Sequence, residues 1–279
     1  MPPLHITQAR APFRQPSFVT PAKLIGVPTR GGENALPKSV WNGRTGWVAF
    51  ELSMTKEESD LQTIRVESGL VAFFDILGFR KMLSANEVEE SLRIVNTCML
   101  EGLAETERMH SSQLKIQTFV ISDSILVVLP DLTVAGVSVF TSFCDLFLFG
   151  LLVDGLPARG AIAAGKFCIQ TNSNQIILAG QPIIDAHELA DSLEIAACAL
   201  TSSAESKVLQ HLTTGTFKIY DTPIKGGSTQ LHLLKYTPEL PREQMIRCFK
   251  KHNKHLDSKA IIKLNNTIEF MKKCGELKP

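Results

Sequence analysis

The run Val71-Ala-Phe-Phe-Asp-Ile-Leu-Gly-Phe-Arg80 is an apolar, strand-like segment that ends in one carboxylate, Asp75, and then turns at a glycine. Further along, Phe119-Val-Ile-Ser-Asp-Ser-Ile-Leu-Val-Val128 carries a second lone carboxylate, Asp123. An acid inside an apolar strand is costly unless it is paired or binds a cation. Two such acids on adjacent strands are the minimal equipment for holding two divalent metals on a triphosphate. Arg159, mid-strand beside Gly160, poses the converse problem, since a buried guanidinium needs an anion. A triphosphate oxygen or a structural carboxylate would each serve.

The elements that must position these residues follow from periodicity. A strand at 69–77 leads through Leu77-Gly78-Phe79 to Ser84, an expected N-cap for a helix over 85–109, in which Val88, Leu92, Val95, Met99 and Leu103 recur at helical spacing. Strands are expected near 114–121 and 124–129, with Ser122-Asp123 at the bend. An apolar helix over 132–153 ends at Asp154-Gly155. A strand through Arg159–Ile169, a polar loop at 171–174 and a short apolar run at 176–179 precede a helix expected over 183–200. Strands near 216–221 and 230–236 are followed by basic helices at about 241–253 and 257–274. The order β-α-β-β-α-β predicts an α+β protein with a ferredoxin-like core and C-terminal helices.

Residues 1–60 differ in kind. Half of the chain's 14 prolines lie there, with no sustained apolar period, so a disordered or spurious N-terminal extension is expected. Residues 61–236 form the expected catalytic domain and 237–279 a basic helical extension. In that tail, charged residues read as a solvated face, with a secondary phosphate contact as the sharper alternative; His252 and His255 are expected to face solvent. The net charge of +1 gives no pull towards nucleic acid or an anionic membrane. Leu132–Val153 is long and apolar enough to span a bilayer, but Asp145, its hydroxyl residues and the lack of flanking cations favour a buried helix, in a core or at a subunit interface. Six dispersed cysteines without a C-x-x-C pair suit reduced thiols in the cytoplasm.

Four motifs, in order across residues 66–200, resemble class III nucleotidyl cyclases, the adenylate and guanylate cyclase catalytic fold. Phe74-Asp75-Ile76-Leu77-Gly78-Phe79 is similar to the family's F-x-D-I-x-G-F signature, and Ser122-Asp123-Ser124 falls at its Gly-Asp hairpin. Arg159-Gly-Ala-Ile-Ala-Ala-Gly165 is similar to the R-x-G-I-x-x-G strand, and Gly180-Gln-Pro-Ile-Ile-Asp-Ala-His-Glu-Leu189 to the segment carrying G-D-x-V-N. The D-I-L-G-F, S-D-S, R-G-A-I and late A-x-E-L patterns resemble more closely the pyrimidine cyclases of Pycsar anti-phage systems.

That resemblance implies a phosphorus-oxygen lyase in which Asp75, Asp123 and the backbone carbonyl of Ile76 hold two Mn²⁺ or Mg²⁺ ions. Gly78, Phe79 and Arg80 would meet the substrate phosphates, and Arg159 would serve in catalysis; the resemblance also implies a homodimer with composite sites, in which Arg159 would act either across the interface or in its own protomer. Where purine cyclases read their base, this chain has Phe119 and Ile177, which leave a purine's polar edge unpaired. Their transition-state Asn and Arg fall at Ile184 and Glu188; Asp185 or His187 could substitute only in a shifted register. The expected reaction is therefore conversion of UTP or CTP to the 3′,5′-cyclic monophosphate, sensed by a separately encoded effector in anti-phage defence. A catalytically inactive nucleotide-binding or dimerisation module, or a purine cyclase with altered base contacts, are the alternatives.

Overall fold

The computed structural model describes residues 65–85, 88–110, 116–172, 175–212, 215–236, 240–252, 255–275 and 277–278. The expectation for residues 1–60 lies outside them.

Strand β1 (Arg65–Ile76) is the axis of the fold. Its alternation places Leu70, Ala72, Phe74 and Ile76 in the main core and Val71 and Phe73 in or against smaller apolar clusters on the opposite face. Burial on both faces explains why this stretch reads as one continuous apolar run. β1 pairs antiparallel with β3 (Ser124–Leu129) on one side and with β4 (Ala158–Asn172) on the other. β2 (Gln117–Ile121) pairs with β3. The order β2-β3-β1-β4 with the connectivity β-α-β-β-α-β is the expected ferredoxin-like core. The sheet continues through β6 (Cys198–Leu200), β8 (Gly227–Leu234) and β7 (Phe217–Ile224), while β5 (Gln175–Ala179) folds back on β4.

The β1–β2 connection holds two helices, α1 (Phe79–Ala85) and α2 (Val88–His110). Ser84 is not an N-cap: it lies inside α1, where its hydroxyl donates to the Arg80 carbonyl. On α2, Ser91, Val95, Cys98, Met99, Gly102 and Thr106 face inward against α3 (Val134–Val153). Thr133 caps α3 by accepting from the Gly136 amide at 3.1 Å. Although α3 is long and apolar enough to cross a membrane, 61% of its most apolar window is buried inside the protein. Phe140, Phe143, Phe147, Leu148 and Leu151 are sealed in the core.

The helix expected over 183–200 ends early. α4 (Gln181–Ser192) is followed by a turn and then by β6, which runs parallel to β4. Ile195–Leu200 is fully buried and apolar, a pattern that a buried strand and a buried helix share. After α5 (Ser202–Val208) and the β7–β8 hairpin come α6 (Arg242–Lys250) and α7 (Ser258–Cys274). These helices add Met245, Phe249, Leu264, Ile268, Phe270 and Met271 to the main core. Three further contacts fix α7 to the α4–β6 turn. Ala196 donates its amide to Thr267 Oγ1 at 3.0 Å, Asn266 donates to the Glu194 carbonyl at 2.7 Å, and Lys263 pairs with Glu194 at 2.6 Å. His252, rather than facing solvent, lies half-buried between α6 and α7 with its Nε2 2.6 Å from the Asp154 carbonyl.

Candidate active site

The backbones of Asp75 and Asp123 lie side by side at one end of the sheet. Asp75 is the penultimate residue of β1 and is in register with Ser124 of β3 and Arg159 of β4. Asp123 is the second residue of the tight β2–β3 turn, and its carbonyl accepts the Ile76 amide at 2.9 Å. The turn has a positive φ only at its first position, Ser122 at 60°, where a two-residue hairpin of this kind favours glycine. The Asp123 carboxylate makes no hydrogen bond or ion pair among the described residues and is half-buried.

Arg159 takes the second of its two sequence-level alternatives, a structural carboxylate. Its Nε donates to Asp75 Oδ2 at 2.7 Å within the same chain, with the two side chains only 12% and 21% exposed. Its Nη2 donates to Asp191 Oδ1 at 2.7 Å, and its Nη1 to the carbonyls of Asp191 and Leu193. The guanidinium thus closes the C-terminus of α4, satisfying carbonyls that the helix leaves unpaired and complementing the negative end of its dipole. Within the single chain, the guanidinium is engaged by groups of its own protomer.

Asp191 was not among the sequence-derived candidates. A local signal existed, since a carboxylate in the last turn of a helix opposes the dipole and calls for a cationic partner. A hydrogen bond from Lys225, together with the Arg159 charge, holds the Asp191 carboxyl below the usual carboxylate value.

The remaining candidates divide. Ile76 and Phe79 turn their side chains into the core, which leaves only their backbones for the site. Gly78 adopts φ +77° and starts the turn into α1. Arg80 is exposed and has no ion-pair partner among the described residues. Behind this turn, Lys81 donates to Asp257 Oδ2 at 2.8 Å and to the His255 carbonyl at 3.2 Å, tying α1 to the start of α7. Phe119 packs half-buried on the Asp75 face of the sheet, against the cluster of Val71, Leu126, Val128 and Phe167. Ile177 does not join it: its neighbour Leu178 packs on that cluster, so alternation sends Ile177 to the other face, where it is 37% exposed. On α4, Ile184, His187 and Glu188 are exposed; His187 meets Phe73 edge-on with ring centroids 4.9 Å apart, and Asp185 accepts from Gln181.

No protein-family model and no curated protein matches the chain. Solved structures similar to it include the adenylyl cyclase CyaB from P. aeruginosa, at a TM-score of 0.40 and 16% identity, covering 61% of this chain and 94% of that one. The non-canonical dimeric guanylyl cyclase domain of the RhoGC fusion protein from the aquatic fungus Blastocladiella emersonii aligns at 0.46 and 15%, covering 62% and 97%. The guanylate cyclase domain of RhGC from Catenaria anguillulae, in complex with GTP, aligns at 0.44 and 15%, covering 62% and 98%. At these identities no residue role is carried over from them.

Proposed function

We propose that this chain is a metal-dependent nucleotidyl cyclase that converts UTP or CTP to the 3′,5′-cyclic monophosphate and pyrophosphate. The observation that carries the reading is the placement of Asp75 and Asp123 at adjacent backbone positions beside the Gly78 turn, with Asp75 held in place by Arg159.

The donors present fit a hard divalent cation. Asp75 Oδ1 is clear of Arg159, Asp123 is unengaged among the described residues, and the Ile76 carbonyl adds a third oxygen to a set without sulfur or nitrogen. Such a set suits Mg²⁺ or Mn²⁺ over zinc. A divalent cation held by these oxygens would supply Lewis acidity for deprotonation of the ribose 3′-hydroxyl and for the charge on pyrophosphate. The protein supplies the rest. Arg159 fixes the Asp75 rotamer, so the carboxylate is organised before substrate arrives. Arg80 offers an exposed guanidinium for a charge-assisted contact to phosphate. Phe119 presents an apolar wall without the donor or acceptor that reads a purine, and the pyrimidine assignment rests on the motif resemblance.

A second copy of the chain completes the proposal. Ile121 at 72%, Ile176 at 57% and Ile184 at 49% exposure flank the Asp75 face, and a symmetric dimer would cover such a patch twice. The motif resemblance also supports a role as a second-messenger synthase in anti-phage defence, with a separate effector that binds the product.

Incubation of the protein with each of the four ribonucleoside triphosphates and Mn²⁺ tests the reading. Cyclic product from UTP or CTP is the expected result. Product from ATP or GTP at equal or higher rate overturns the pyrimidine assignment, and no product from any of the four overturns the cyclase.

A further inference from the structure

Asp191 and Lys225 lie outside the proposed catalytic set, yet both connect to it through short contacts. Lys225 Nζ donates to Asp191 Oδ2 at 2.8 Å, Arg159 Nη2 donates to Asp191 Oδ1 at 2.7 Å, and Arg159 Nε donates to Asp75 Oδ2 at 2.7 Å. The four charges alternate in sign along the chain Asp75, Arg159, Asp191, Lys225. They also join four separate elements: the end of β1, the start of β4, the C-terminus of α4 and the β7–β8 turn. The backbone reinforces the outer junction, since Lys225 donates its amide to Ser192 O at 2.8 Å and Glu194 donates to Pro223 O at 2.9 Å. The inner pair is shielded from water, whereas Asp191 and Lys225 are about half exposed, at 50% and 54%.

We infer that Asp191 and Lys225 form the outer half of a charge relay that sets how strongly Asp75 holds its divalent cation. This rests on the reading of Asp75 as a metal ligand. Arg159 both orients Asp75 and competes with a cation for its negative charge. Asp191 draws on the same guanidinium from the far side, which lessens that competition. Lys225 in turn offsets Asp191. Removing alternate members of the relay therefore has opposite consequences. Asp191→Asn leaves the full Arg159 charge bearing on Asp75 and weakens cation binding. Lys225→Met frees Asp191 to compensate Arg159 and strengthens it. Asp191 is thus a positioning residue, acting on the cation through Arg159.

The test is direct Mn²⁺ binding to the purified full chain without nucleotide, read from the electron paramagnetic resonance of free Mn²⁺, alongside a thermal melt of each variant. Asp191→Asn is expected to weaken binding roughly tenfold, the scale of one unit charge lost about 12 Å away at an effective dielectric near 20. Asp191→Glu restores most of it. Lys225→Met is expected to tighten binding about two- to threefold, an effect that ~0.5 M salt erases because this residue is exposed. Loss of binding in Asp75→Asn with unchanged affinity in Asp191→Asn and Lys225→Met overturns the relay and leaves the Asp75 site standing. A lower melting temperature in Asp191→Asn at unchanged affinity overturns it equally, since Asp191 is then only a structural partner. No Mn²⁺ binding by the wild type, or binding unaltered in Asp75→Asn, overturns the metal assignment itself.

Discussion

Ile76 donates its amide to the carbonyl of Asp123 at 2.9 Å, so the turn bearing the second carboxylate is stitched to the strand bearing the first. The two acids share a backbone frame but not an environment. Asp75 is mostly buried and paired with Arg159, whereas Asp123 sits half-buried in a turn without a partner among the described residues.

Substitution of the two acids should therefore separate activity from stability. On the proposed function, Asp75→Asn and Asp123→Asn are both expected to abolish cyclisation, because each removes a carboxylate charge that would hold the metal. Asp75→Asn also leaves the largely buried Arg159 short of one partner, at a cost of about 1–3 kcal/mol. Asp123→Asn should stay within ~0.5 kcal/mol of wild type, as expected at a turn position with no partner among the described residues. Urea denaturation beside the product assay reads both effects. Turnover near the wild-type rate in either variant would remove that carboxylate from the mechanism.

Ser122 holds φ at 60°, a conformation that costs an L-residue about 1–2 kcal/mol and glycine almost nothing. Ser122→Gly is expected to leave activity intact and to raise stability by up to ~1 kcal/mol, after the greater freedom of glycine in the unfolded chain is subtracted. A clear loss of stability in the urea midpoint would show that the serine side chain contributes more than the strain costs.

Ile121, on the Asp75 face and largely exposed, tests the proposed dimer. Ile121→Lys places a charge at the most exposed isoleucine of the patch. Light scattering should then report a shift from dimer to monomer, with cyclase activity falling in parallel. A wild-type protein that is monomeric and fully active would end the composite-site idea, whatever the variant does.

Much of the core was readable because β1, β3 and α3 each repeat one pattern long enough to leave no second solution. The segment 183–200 was not, because Ile195–Leu200 is buried on every side and its burial is set by β4 and β8 rather than by its own period. Asp75 and Asp123 are legible as isolated acids in apolar segments. The second partner of Arg159 is not, since Asp191 lies 32 residues away at the end of a helix whose extent its own period does not set. Ile177 was assigned by its offset from a motif, and offsets do not reveal which face of a strand a residue occupies.

Burial raises the thiol pKa of Cys98, Cys144 and Cys198 well above the ordinary 9.0, with Asp154 adding to the effect at Cys98. In the native state these groups keep their protons, while in the unfolded chain they lose them above pH 9. Stability from this source is thus complete below about pH 9 and declines as pH rises further, at roughly 1.4 kcal/mol per thiol per pH unit. Urea midpoints measured from pH 7 to 10.5 should be level and then fall. A thiol-reactive disulfide reagent applied to the native protein should label no more than Cys168 and Cys274, the two that are partly exposed. Rapid labelling of four or more would contradict the buried core described above.

Gly160 explains why the strand bearing Arg159 cannot carry a side chain at the next position. It is in register with Phe74, and a Cβ there would lie 2.4 Å from Phe74 Cδ1 and 2.8 Å from the Phe73 carbonyl oxygen. The first contact could be relieved by moving a ring, but Phe74 is fully buried against Phe147, and the second is with backbone. β4 must then move away from β1 at the point where Arg159 reaches Asp75. Gly160→Ala is expected to cost about 1–3 kcal/mol, the usual range for overpacking, and to lower turnover at least tenfold at temperatures where the protein remains folded. Adding Phe74→Leu should recover part of the stability by making room for the methyl group, yet leave activity low while the Phe73 carbonyl still holds the strands apart. Full activity in Gly160→Ala alone would mean that the spacing of β1 and β4 does not control the Asp75–Arg159 pair.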